Sequence, residues 1–239
     1  MRPRAILFDM DDTLLDWFSA VHTGWEVVCA EFAPGLGADP VSLREKIERE
    51  GALFWRDEAA AAPYRTRPLD SRREIVRLAL LAEGLDDAPA DEIARRSFEE
   101  MTSRIAPFDD SLETLEALRA EGYRLGLVTN GSTEMQREKI ERWDLARHFD
   151  AIVIEGEFGR GKPDPAVFAH ALAGVGAAAE EAWMVGDNLY ADIGGARAAG
   201  IHSVWIHRER LQFPVEAPPA HPHRRIGHLA ELRAALGVG

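Results

Sequence analysis

The chain has 239 residues, 46% of them hydrophobic, enough for one large domain or for a core with a smaller companion. Its formal net charge of −13 opposes the phosphate-neutralising surface that a nucleic-acid polymer or an anionic membrane requires, so neither is expected as a partner. A single cysteine, Cys29, excludes an internal disulfide and a thiolate-rich zinc site and is expected to be a small buried hydrophobe. The apolar run after Met1-Arg2-Pro3-Arg4 stops at Asp9, too short for a signal peptide. Without a stretch of about 18 apolar residues there is no predicted membrane span, and a cytoplasmic protein is the expectation.

The first predicted element is a strand over Ala5-Ile6-Leu7-Phe8, whose unbroken apolar run suits burial on both faces, as in a parallel sheet. It ends in Asp9-Met10-Asp11-Asp12. Asp9 and Asp11 are two positions apart and point the same way on an extended backbone. Such a pair repels itself unless a cation or a shared proton intervenes. Asp12 and Asp16 are read as turn and capping residues.

Residues 17–103 carry a helical pattern throughout. Phe18, Val21, Trp25, Val28 and Phe32 recur at helical spacing, then Pro34-Gly35 and Gly37 break the run. Leu43, Ile47 and Phe54 predict a second helix, Ile75, Leu78 and Leu81 a third, and Ile93, Phe98 and Met101 a fourth. Trp55, Arg56, Tyr64, Arg65 and Arg67 are the residues of this region that could meet a ligand, with solvated or core roles as the alternative.

From Pro107 the pattern alternates helix with strand. Asp110 or Ser111 is a candidate cap for a helix carrying Leu112, Leu115 and Leu118. A strand over Leu125-Gly126-Leu127-Val128 ends at Thr129-Asn130-Gly131-Ser132, and Thr133 with Gln136 resembles a capping box for the next helix. Ala151-Ile152-Val153-Ile154 is the third strand, followed by a loop over residues 155–162. Asp164-Pro165 supplies an N-cap and an N1 proline. Trp183-Met184-Val185 leads into Gly186-Asp187. A helix through Ile193 and Ala196 stops at Gly200, its Gly194-Gly195 pair pointing to close packing against the sheet. Ser203-Val204-Trp205-Ile206 is the fifth strand. Residues 213–223, rich in proline, form a predicted surface loop, and Leu229, Leu232 and Leu236 a closing helix.

This alternation predicts an α/β fold with an open, doubly wound parallel sheet, in which ligands bind at the carboxyl ends of the strands. Asp9, Asp11, Thr129, Lys162 and Asp187 all come after strands and should converge there. Asp9, Asp11 and Asp187 offer hard oxygen ligands that suit Mg²⁺. Lys162 offsets residual negative charge and the Thr129 hydroxyl can donate a hydrogen bond. Carboxylates, a metal, a lysine and a hydroxyl make a phosphoryl-transfer site, and an aspartate nucleophile splits one hard step into two.

The quartet Phe8-Asp9-Met10-Asp11-Asp12-Thr13, Val128-Thr129-Asn130-Gly131, Gly161-Lys162-Pro163-Asp164-Pro165 and Gly186-Asp187-Asn188-Leu189-Tyr190-Ala191-Asp192 resembles motifs I to IV of the haloacid dehalogenase superfamily. The resemblance implies a Rossmann-like core over residues 1–16 and 104–239 and a helical cap over residues 17–103 that selects substrate. It implies Asp9 as nucleophile, Asp11 as acid and base, and Thr129, Asn130, Gly131 and Lys162 as holders of the phosphoryl group. Mg²⁺ would be bound by Asp9, the Asp11 carbonyl and Asp187, with Asp192 orienting Lys162 or the metal shell. Asn188, beside Asp187, and Ser132 are either ligand contacts or helix caps. The stretches at Thr129, residues 136–141 and Met184 are similar to those of N-acylneuraminate-9-phosphatases and pyrimidine 5′-nucleotidases.

The expected activity is therefore Mg²⁺-dependent hydrolysis of a small phosphorylated metabolite. A 2-haloacid dehalogenase is the second enzyme reading, which Asp11 disfavours because that subfamily carries an aromatic residue there. A phosphonatase or sugar phosphomutase fits the core as well. A non-catalytic binding module would predict erosion of the quartet, which is intact.

Overall fold

The computed structural model describes residues 2–56, 58–208 and 221–238. The chain divides into two compact units, Met1–Asp16 with Ala106–Gly239, and Trp17–Ile105. It opens on β1 (Ala5–Phe8), then passes through helices α1 (Trp17–Phe32), α2 (Pro40–Arg56), α3 (Glu58–Ala61), α4 (Pro68–Ala82) and α5 (Ala90–Arg104). Helices and strands then alternate: α6 (Ser111–Ala120), β2 (Arg124–Thr129), α7 (Thr133–Arg142), β3 (Ala151–Ile154), α8 (Glu155–Phe158) and α9 (Pro165–Val175). The last elements are β4 (Ala182–Gly186), α10 (Gly195–Ala198), β5 (His202–Ile206), β6 (Arg224–Ile226) and α11 (Leu229–Leu236). Arg104 closes α5 and Ile105 is buried, so the helical unit runs slightly past the pattern break at Ser103. Among the described residues no helix is long and apolar enough to cross a membrane.

In the α/β unit a 6-stranded sheet has the order β3-β2-β1-β4-β5-β6. Every neighbouring pair is parallel, which is the doubly wound sheet the alternation predicts. β1 lies between β2 and β4, with Phe8 opposite Leu127 on one side and Val185 on the other. All its residues are buried, as a continuous apolar run requires. The chain therefore leaves β1 in one direction for β2 and β3 and returns past it to β4. This reversal is the topological switch point, where the strand ends open a crevice. The core beneath it gathers Leu7, Val128, Val153, Val167, Phe168, Ala171 and Met184, each large side chain contributing roughly 1.5–3 kcal/mol on full burial.

Several local expectations need correction. β6 escapes prediction because Arg224 and Arg225 are exposed on an edge strand that buries Ile226 alone. Asp110 occupies the N-cap position of α6 without capping it. Its carboxylate accepts instead from the Leu229 N–H at 2.6 Å and from Arg208 at 3.0 Å, while the Ser111 hydroxyl donates to the Leu14 carbonyl at 2.8 Å. The segment after residue 154 is not all loop, since α8 makes one turn there. Residues 213–220 of the proline-rich stretch lie outside the described residues; His223 is described, and its ring stacks on His202 with centroids 4.5 Å apart.

The helical unit packs on a core of Trp25, Val28, Cys29, Leu43, Ile47, Ile75, Val76, Ala79, Leu80 and Ile93. Cys29 is buried as expected. The buried stripe of α4 is Ile75, Val76, Ala79 and Leu80 rather than Ile75, Leu78 and Leu81, and Leu81 is 48% exposed. Apolar residues at every turn of α4 allow either stripe, and packing selects one. Arg72 of α4 is buried; its guanidinium lies 5.1 Å from the Trp25 ring centroid and reaches Ser97 Oγ and Met101 Sδ. Phe54 meets Trp55 and Tyr64 edge-on, and Arg67 lies over the Tyr64 ring.

Candidate active site

The site is built on the carboxyl ends of β1 and β4. The Asp9 N–H donates to the Val185 carbonyl at 2.9 Å, extending the strand pairing one residue beyond Phe8. The chain then turns sharply: the Leu14 and Leu15 N–H groups both reach the Met10 carbonyl, with Asp12 in the left-handed region at φ 57°. Asp187 comes directly after β4, and its carbonyl accepts from the Trp205 indole N–H at 2.8 Å. One carboxylate oxygen from each of Asp9, Asp187 and Asp192 lies within 4.8 Å of the others. Gly186 makes this gathering possible, because a Cβ there would collide with the Asp192 carboxylate.

Lys162 sits among these carboxylates, its Nζ 2.5 Å from Asp9 Oδ1 and 2.7 Å from Asp192 Oδ1. It is 2% exposed. Asn130, which the resemblance assigns to phosphate, spends its side chain on the Lys162 backbone. Its Oδ1 accepts from the Lys162 N–H at 2.7 Å and its Nδ2 donates to the Lys162 carbonyl at 2.8 Å. The Gly131 N–H, similarly assigned, donates to Glu155 Oε2 at 3.0 Å. Both therefore brace the loops, because a buried backbone leaves no polar group unpaired. The Lys162–Pro163 peptide is cis.

Asp192 lies in a short π-helical turn, Leu189–Gly194, and its Oδ2 accepts from the Asn188 N–H at 2.9 Å. Asn188 caps this turn by accepting from the Tyr190 and Ala191 N–H groups. Of its two sequence alternatives the cap is the one observed, and the same holds for Ser132, which accepts from the Met135 N–H at 3.3 Å. Gly195 is closely packed, with Phe168 and Pro163 standing where a Cβ would go.

Asp11 faces a different set of partners, on α7. Lys139 Nζ lies 2.7 and 2.6 Å from its two carboxylate oxygens. Gln136 Nε2 contacts Asp11 Oδ2 at 3.1 Å, Thr129 Oγ1 at 2.6 Å and the Asn130 carbonyl at 2.8 Å. The capping box proposed for Thr133 and Gln136 is thus overturned, because Gln136 turns into the site and Ser132 takes the cap. Gln136 and Lys139 are missed from sequence because the run from Gln136 to Glu141 is polar at nearly every position and matches a solvated face. The available signal is topological: α7 starts where β2 ends, so its first turns stand at the crevice.

Crowding governs the electrostatics. Burial pushes the Asp9 carboxyl up to about 7; Lys162 opposes this, and Asp192 and Asp11 add to it. Burial, then the charges of Asp9, Asp192 and Asp12, hold Asp187 well above the usual carboxylate range. Burial alone would lower Lys162, but Asp192 and Asp9 more than reverse it and keep the amine above its ordinary value. The Asp187 carboxylate has no hydrogen bond or ion pair among the described residues. Orphaned hard oxygens beside Asp9 have the chemistry that a small divalent cation requires.

A parallel sheet with acidic groups at its switch point defines an α/β core with a polar crevice, and comparison with known proteins gives its family. A family model for haloacid dehalogenase-like hydrolases matches residues 3–200. The chain is 35% identical to a phosphoserine phosphatase of Thermus thermophilus, over 96% of this chain and 97% of that one. It is 31% identical to the N-acylneuraminate-9-phosphatase of Mus musculus, over 98% and 94% of the two chains. Among solved structures, Bacillus subtilis YfnB, determined bound to magnesium, shares the fold with a TM-score of 0.80 at 22% identity and full coverage of both chains. A 2-haloacid dehalogenase of Pseudomonas syringae pv. Tomato matches with a TM-score of 0.60 at 30% identity over 98% of each chain. The chain belongs to the haloacid dehalogenase-like hydrolases.

Proposed function

We propose that this chain is a Mg²⁺-dependent phosphomonoester hydrolase acting on a small phosphorylated metabolite through an aspartyl-phosphate. The observation that carries the proposal is the gathering of the Asp9, Asp187 and Asp192 carboxylates within 4.8 Å around Lys162 at the switch point. Relatives similar over nearly the whole chain are named as phosphatases of phosphoserine and of N-acylneuraminate 9-phosphate.

Asp9 is the nucleophile: its carboxylate oxygen bonds to phosphorus as the ester oxygen leaves, and Asp11 gives that oxygen its proton. Asp11 then takes a proton from the water that attacks phosphorus, the Asp9–phosphorus bond breaks, and inorganic phosphate departs. Lys162 and the Thr129 hydroxyl hold the phosphoryl oxygens, and Asp192 keeps Lys162 in place. Asp9, the Asp11 carbonyl and Asp187 would hold Mg²⁺, which supplies charge stabilisation to the phosphoryl group when bound. The helical unit supplies substrate selection.

Solved dehalogenases share the fold, so haloacid hydrolysis is the competing reading. A halide leaves without a proton, whereas an alkoxide needs one. Asp11, held by Lys139 and Gln136, is the group that would provide it. Hydrolysis of p-nitrophenyl phosphate should require Mg²⁺, stop with EDTA, and fall at least ~10²-fold in Asp9→Asn, since losing the nucleophile removes the covalent route. Turnover without metal that Asp9→Asn leaves untouched sinks the proposal.

A further inference from the structure

We propose that Lys139 and Gln136 are positioning residues that aim Asp11 at the ester oxygen, an inference that rests on the phosphatase reading above. Neither belongs to the motif quartet. Lys139 is 1% exposed, yet its ammonium reaches both oxygens of Asp11, at 2.7 and 2.6 Å. A buried ammonium is costly to desolvate unless it is paired, and here it is paired with a side chain that keeps contact with solvent (Asp11 is 26% exposed). Gln136 adds a geometric constraint. One amide nitrogen spans Asp11 Oδ2 at 3.1 Å and Thr129 Oγ1 at 2.6 Å, which ties the proton-transfer group to the hydroxyl that holds the phosphoryl oxygen.

Asp11 stands on the turn after β1, and Lys139 and Gln136 are the side chains that hold its carboxylate. A displacement of about 1 Å at a reacting group can cost on the order of 10²-fold in rate, so fixing its rotamer matters for catalysis. In the first half-reaction the Asp11 proton moves to the ester oxygen as the phosphorus–oxygen bond breaks. In the second, Asp11 recovers a proton from water. Lys139 and Gln136 keep their own protons throughout: Lys139 acts through Asp11, and Gln136 through Asp11 and the Thr129 hydroxyl.

This role separates from a structural one by leaving-group dependence. A nitrophenolate leaves unaided, whereas a benzyl alkoxide must be protonated. Second-order rate constants kcat/KM, which report steps through cleavage of the ester bond, are measured with excess Mg²⁺ for p-nitrophenyl, phenyl and benzyl phosphate. Lys139→Met should lose at least ~10-fold more on benzyl than on p-nitrophenyl phosphate, a part of the ~10²–10⁴-fold that general acid catalysis supplies. Gln136→Leu, which retains the ion pair, should shift the ratio in the same direction and serves if Lys139→Met does not fold. Equal losses on all esters, or an unchanged ratio, overturn the inference. Wild-type protein that releases phosphate from none of them overturns the phosphatase reading itself.

Discussion

Raising the pH should weaken the metal-free protein, and Mg²⁺ should restore it. Asp9 is the group that decides this: buried beside Asp192 and Asp11 and only partly relieved by Lys162, its carboxyl rises from 3.8 to about 7. Between those values the folded chain holds a proton that the unfolded chain releases, so unfolding sheds protons. The stability this contributes is complete below pH 3.8 and is lost as the pH climbs through about 7. At ~1.4 kcal/mol per tenfold change in proton affinity, the difference is worth roughly 4 kcal/mol. Asp187, raised by burial and by Asp9, acts in the same direction. A divalent cation removes this penalty by replacing the proton. At a hundred times its dissociation constant it stabilises by about 2.7 kcal/mol, or about 5–10 °C in melting temperature for a chain of this size. Thermal melts from pH 5 to 8, with Mg²⁺ and with EDTA, on wild type, Asp9→Asn and Asp187→Asn read the effect. Wild type should fall below Asp9→Asn at pH 8 but not at pH 5, and the Mg²⁺ shift should grow with pH. A Mg²⁺ shift equal at both ends, or one retained in Asp187→Asn, refutes the electrostatic account.

Packing elsewhere gives sharper single-site tests. A Cβ at residue 195 would lie 2.5 Å from the Phe168 ring and 3.0 Å from Pro163 Cα. Gly195→Ala should therefore cost about 1–3 kcal/mol from overpacking, seen as a lower denaturation midpoint, and should lower activity because Pro163 is bonded to Lys162. In the helical unit, burial lowers the Arg72 guanidinium to about 10, and its partners are an indole face, a hydroxyl and a thioether with no carboxylate among the described residues. Arg72→Met should be neutral or stabilising by up to about 2 kcal/mol, as when buried ions give way to apolar residues of like volume. A loss of that size instead would show that the Trp25, Ser97 and Met101 contacts outweigh desolvation.

The strands β1 to β5 were legible because each carries a short, largely buried apolar run, and a parallel sheet favours little else at those positions. The residues just past the strand ends were legible for a related reason, since the next side chain must stand at the sheet edge: Asp9 after β1 and Asp187 after β4. The helical stripe of α4 was not, because Leu78 and Leu81 are as apolar as Val76 and Leu80 and only packing chooses between them. Lys139 was hidden for the opposite reason. In sequence it is one charge among Arg137, Glu138 and Glu141, and nothing local marks it as the member that turns inward to Asp11. Asn130 carried the right address, but the use of its side chain as a clamp on the Lys162 backbone was not legible, since it depends on a loop more than thirty residues away.

The division of partners among the acidic groups connects these observations to the proposed chemistry. Lys162 is shared by Asp9 and Asp192, and Lys139 reaches both oxygens of Asp11. On the proposed chemistry the two lysines separate the carboxylate that attacks from the one that moves protons, and each carboxylate meets a different environment although they stand two residues apart. Asp187 receives neither lysine and is the group left for a cation. The ion pair on α7 bears, on the proposed chemistry, on the acid and not on the nucleophile, so its loss should be read in leaving-group dependence and not in stability alone.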